Sequence, residues 1–68
     1  MPEINNVRDA IKLAKEVMQE AGYLLPRIAD VSFDEDDEVW KVNAYEGETI
    51  ISIEIDDDGN VVKFDTEA

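Results

Sequence analysis

The apolar residues of this chain change their spacing once, and that change decides the fold class. Between Val7 and Ala21 they fall at Val7, Ala10, Ile11, Ala14, Val17, Met18 and Ala21, the alternating three-and-four spacing of one helical stripe. From Ile28 onward they recur at every second residue, the period of a strand with one buried face. A helical stripe and a half-apolar sheet can each be buried only against the other. The expectation is an α+β fold in two layers, an N-terminal helix packed on an antiparallel β meander of three to four strands in the order 1-2-3-4.

Local signals place the elements. Asn6 is a good N-cap, Asp9 stands at the third helical position where an acid favours the orphan amides, and Gly22 suits the left-handed position after the helix. Pro26 forbids helical continuation. Strands are expected at residues 28–33, 39–45, 49–56 and 61–64, joined by the charged run 34–38, the turn 46–48 and the Asp-Gly turn 57–60. Alternation puts Ala29, Val31 and Phe33 inward on the first strand, Trp40, Val42 and Ala44 on the second, Ile51, Ile53 and Ile55 on the third, and Val62 and Phe64 on the last. Residues 65–68 are expected to fray. Loops this short make consecutive strands antiparallel neighbours.

Sixty-eight residues make one domain, 1–68, with a core that supplies about 3–5 kcal/mol. The absence of cysteine and histidine removes disulfides, thiolate nucleophiles, Cys/His zinc sites and imidazole acid–base catalysis. Eighteen acids against six bases give a formal charge of −12, which repels phosphate backbones and anionic lipid. Neither nucleic acid nor membrane is an expected partner. Residues 1–5 have no basic or long apolar segment of a leader, and no run approaches the roughly 20 apolar residues of a membrane span, so the expected location is cytoplasmic.

Three constellations could carry function. Glu54, Asp56, Asp58, Gly59 and Asp65 approximate the first, third, fifth, sixth and twelfth positions of a calcium loop, which makes Asp56 and Asp58 candidate ligands of a weakly held divalent cation. The same residues also satisfy the bland description of an Asp-rich hairpin turn, which is far commoner. Asp36 and Asp37 lie in an acidic run that is either a solvated loop or a docking site for a basic protein segment. Tyr23 with Leu24 and Leu25 at the helix exit, and Tyr45 on the polar phase of its strand, are the candidate exposed apolar groups for a protein contact. With no cleft expected in a two-layer domain, no catalytic residue, enzyme activity or cofactor is assigned.

Three segments also resemble a known module. Ala10-Ile11-Lys12-Leu13-Ala14, the strand Val39-Trp40-Lys41-Val42, and the hairpin Ile53-Glu54-Ile55-Asp56-Asp57-Asp58-Gly59-Asn60-Val61-Val62 together resemble the PepSY-type domain. That family is a helix-plus-meander module with a Trp-x-Val strand and a closing Asp-x-x-Gly hairpin. The resemblance implies a non-catalytic binding module, proposed in that family to bind or restrain peptidases, and gives no catalytic residues. The expected role is therefore a small acidic protein-binding or accessory module, monomeric or weakly homodimeric, with a cation-responsive module built on the 56–60 hairpin as the alternative.

Overall fold

The computed structural model describes residues 6–67; the reading of residues 1–5 as lacking a leader lies outside them. Helix α1, Val7–Glu20, begins where expected, because the Asn6 side chain accepts the Asp9 backbone N–H at 2.9 Å. Its other end is a Schellman closure. The Tyr23 N–H reaches the Met18 carbonyl at 2.9 Å and the Gly22 N–H reaches that of Gln19 at 3.1 Å. Gly22, at φ 103°, takes the left-handed conformation this closure requires. Tyr23 and Met18 both join the core, the apolar contact that accompanies the motif.

Four strands follow, β1 (Arg27–Asp34), β2 (Val39–Glu46), β3 (Thr49–Asp56) and β4 (Val61–Glu67), forming one antiparallel sheet in the order β1-β2-β3-β4. The register stacks the inward residues in three cross-strand rows: Ile28–Ala44–Ile51–Thr66, Val31–Val42–Ile53–Phe64, and Phe33–Trp40–Ile55–Val61. Helix α1 lies over β1, β2 and β3 and does not approach β4. Ala10, Ala14 and Met18 are its fully buried residues, and the two alanines let the helix backbone sit close to the sheet. Against them lie Val42, Ala44, Ile51, Ile53 and Ile55, with Leu13, Val17, Ile28, Val31, Trp40 and Phe64 packed around the margin. Among the described residues, no polar or charged residue is buried, as expected of a core assembled from apolar burial alone.

Three expectations need correction. Ala29 does not face inward: a bulge between Ile28 and Asp30 leaves it without a partner, and Ile28 takes the inward place opposite Ala44. Val62 likewise falls in an irregularity of β4, where Val61 rather than Val62 is opposite Ile55, and it is 55% exposed. An extra residue advances the alternation by one, so strict period-2 counting fails beyond it. The expected frayed tail is also wrong as far as Glu67, since Asp65, Thr66 and Glu67 pair with Ser52, Ile51 and Ile50. Ala68 lies outside the described residues.

Candidate functional site

The outer face of the sheet carries Arg27, Asp30, Ser32 and Asp34 from β1, Val39, Lys41, Asn43 and Tyr45 from β2, Ile50, Ser52, Glu54 and Asp56 from β3, and Lys63, Asp65 and Glu67 from β4. It is not uniformly acidic. Lys41 pairs with Asp34 at 3.2 Å, and Lys63 lies 3.7 Å from Glu54 and 3.4 Å from Asp65. The Ser52 hydroxyl donates to the Asn43 side-chain oxygen at 3.2 Å. Val39, between Asp34 and Asp56 in the register, is buried on this polar face, where the alternation predicts a solvent-facing residue.

The acidic run after β1 is an organised turn. Asp34 Oδ1 accepts the backbone N–H of Asp36 at 3.0 Å and of Asp37 at 3.3 Å, while Oδ2 meets Lys41. The Asp37 amide and the Lys41 ammonium, with a lesser part from the Asp36 amide, hold the Asp34 carboxyl below its ordinary value; desolvation opposes them without prevailing. The Asp34 carboxylate in turn raises Lys41. Asp36 and Asp37 themselves are exposed at the tip, with their amides held by Asp34.

The β3–β4 hairpin is built the same way around Asp56. Its Oδ1 accepts the N–H of Asp58 at 3.1 Å and of Asn60 at 2.8 Å, and Oδ2 faces the Asn60 side-chain amide at 3.4 Å. Oxygens of Asp56, Asp57 and Asp58 lie within 4.8 Å of one another, close enough to share a hard cation. Such a cation would have to compete for an Asp56 carboxylate that already accepts the turn's own N–H groups. The more distant calcium-loop positions are committed elsewhere, Glu54 opposite Lys63 and Asp65 opposite Ser52 in the sheet.

The apolar candidates divide. Tyr23 is half-buried and packs on the core. Leu24 and Leu25 are 73% and 81% exposed, yet their backbone is anchored, because the Leu25 N–H donates to Glu46 Oε1 at 2.7 Å. Tyr45 is exposed on the outer face directly opposite Ile50, which is 52% exposed. Ile50 is the residue missed from the sequence, although its phase is legible: it precedes Ile51-Ser52-Ile53-Glu54-Ile55 and falls on the face of Ser52 and Glu54. Arg27, two residues after Leu25, pairs with Tyr45 in the register, so Tyr45, Ile50 and the leucine corner occupy the same end of the sheet.

An open groove of about 370 Å³ runs beside this end, lined by Ile50, Ser52, Lys63, Asp65, Thr66 and Glu67. The molecule is only 17 Å through its thinnest axis, the depth of one helix on one sheet. Among the described residues, no helix is long and apolar enough to cross a membrane. Comparison with protein-family models, with curated proteins and with solved structures returns no match.

Proposed function

We propose that this chain is a non-catalytic protein-binding or accessory module, and that the end of the sheet bearing Leu24, Leu25, Tyr45 and Ile50 is its contact surface. The observation that carries this reading is the leucine corner. Two consecutive leucines are exposed while a 2.7 Å hydrogen bond from the Leu25 amide to Glu46 holds their backbone. Exposed apolar groups on a fixed backbone lose little entropy when a partner covers them. Glu46 and Glu48 in the adjacent turn and the overall charge of −12 favour a partner with an apolar centre and a basic rim. The resemblance to PepSY-type modules belongs to this proposal and rests on the three sequence segments that carry it.

The test replaces both leucines, Leu24→Ser with Leu25→Ser, in a chain carrying a photo-crosslinking residue at Tyr45. The variant should melt within a few degrees of the wild type, because neither leucine is buried. Wild type should cross-link one partner from a native lysate at low salt, and the double variant should lose it. Equal capture by both chains would sink the assignment.

The cation-responsive reading is favoured by the close approach of the Asp56, Asp57 and Asp58 carboxylates. Calcium titration followed by amide chemical shifts decides it. Shifts confined to Asp56, Asp58 and Gly59 would support the site, and silence there at millimolar metal would end it.

A further inference from the structure

The two edges of the sheet are unequal. Strand β1 lies under the helix, whereas β4 does not, and the inner face ends there in an apolar margin, with Phe64 half-buried and Val61 exposed. As the terminal strand of the sheet, β4 presents the backbone groups of its free side for pairing. The sequence along it is Val61-Val62-Lys63-Phe64-Asp65-Thr66-Glu67, in which opposite charges flank Phe64 symmetrically.

We propose that β4 docks a second copy of this chain, antiparallel, across a two-fold axis at Phe64. In that register each Lys63 stands opposite the partner's Asp65, and each Asp65 opposite the partner's Lys63. Opposite charges facing across an antiparallel pair are favourable. The row Lys41–Glu54–Lys63 already alternates in sign across β2, β3 and β4, and the partner's Asp65 continues the alternation by one strand. On the other face the two Phe64 rings meet in the strip that neither helix covers. A two-fold axis normal to the sheet makes the contact isologous and self-limiting.

Other pairings fit less well. Centred on Asp65, the strand would set two aspartates against each other between two Lys63–Glu67 pairs and leave Phe64 opposite the polar Thr66. Strand β1 paired with itself about Ser32 would set Asp30 against the partner's Asp34 twice. One strand per copy is a small interface, so the dimer is weak and concentration-dependent. Long-range repulsion between two chains of charge −12 is screened beyond about 8 Å at physiological salt.

Sedimentation equilibrium at that salt, from about 10 µM to about 1 mM, spans the range for such a contact. The apparent mass should climb from 7.7 kDa towards twice that value. Lys63→Asp and Asp65→Lys should each weaken self-association at least about tenfold, because each sets like charges opposite one another. An equimolar mixture of the two variants should recover the dimer, since residue 63 is then acidic in one chain opposite a basic residue 65 in the other. Near-ultraviolet dichroism of Trp40 verifies that each variant is folded. A wild type that stays at 7.7 kDa, a mixture of folded variants that fails to associate, or masses growing beyond the dimer would each overturn the proposal. So would a lysine-rich extended peptide that shifts the β4 amides of a chain that remains monomeric, which would assign the edge to a foreign basic strand.

Discussion

The two acidic hairpins solve one problem with different residues. In each, an aspartate ending a strand turns its carboxylate back over the following turn: Asp34 takes the amides of Asp36 and Asp37, and Asp56 takes those of Asp58 and Asn60. Each turn also needs a residue in the left-handed region. The second uses Gly59 at φ 90°, and the first uses Glu38 at φ 55°, a conformation that crowds a Cβ. The first turn gains Lys41 as a counter-ion, and the second has only the neutral side-chain amide of Asn60 at that place. Side-chain acceptance of backbone amides is thus what organises both acidic loops, and their charge is incidental to that organisation.

The largest effect comes from removing the acceptor of the hairpin without a counter-ion. Asp56→Ala should cost about 2 kcal/mol, by loss of charge-assisted bonds from two amides and from the Asn60 side chain, read as a lowered urea midpoint at unchanged slope. Gly59→Ala should follow, at about 1 kcal/mol, by forcing a Cβ into the conformation that Gly59 now holds. Glu38→Gly should act in the opposite sense and raise stability by about 0.5 kcal/mol, relief of the left-handed Cβ outweighing the added freedom of the unfolded chain. A destabilised Glu38→Gly would break the parallel between the turns.

The smallest effect separates the hairpins by pH. Asp34 is held below its ordinary value first by the Asp37 amide and then by Lys41. The stability from that shift is therefore complete above the usual aspartate range near pH 4 and disappears as pH falls through the lower folded value. Lys41, raised by Asp34, contributes fully below the usual lysine value of about 10.4 and loses its part as pH rises through the higher folded value. Urea midpoints measured against pH should show Asp34→Asn flattening both limbs. An unchanged acid limb would mean that neither the Asp37 amide nor the Lys41 pair holds this solvated carboxylate strongly enough to matter.

Much of the architecture was legible in the residues. Seven positions of the helical stripe, the Asn6 cap and Gly22 located α1, and the Ile51-Ile53-Ile55 alternation located the inner face of β3. Trp40 took its expected core phase and packs against Phe33 in a tilted arrangement, ring centroids 5.0 Å apart and planes at 55°. Its indole Nε1 is nevertheless buried with no hydrogen-bond partner among the described residues, a cost that composition could not reveal. The candidate site was only partly legible. Leu24 and Tyr45 are exposed as read from their positions, but Tyr23 serves the core, because the Schellman closure turns it back towards Met18.

The sequence by itself determined the order of elements, the handing over from period 3.6 to period 2, and the meander topology, because caps, turn residues and side-chain alternation are local properties of the chain. Only the tertiary structure decided where the alternation slips, at Ala29 and Val62, because a bulge exists only in relation to a paired strand. It also decided that the helix covers β1 to β3 and leaves β4 open, that Val39 is buried on the polar face, and that the Leu25 amide is held by Glu46. Those are contacts between segments distant in the chain, and no local pattern records them.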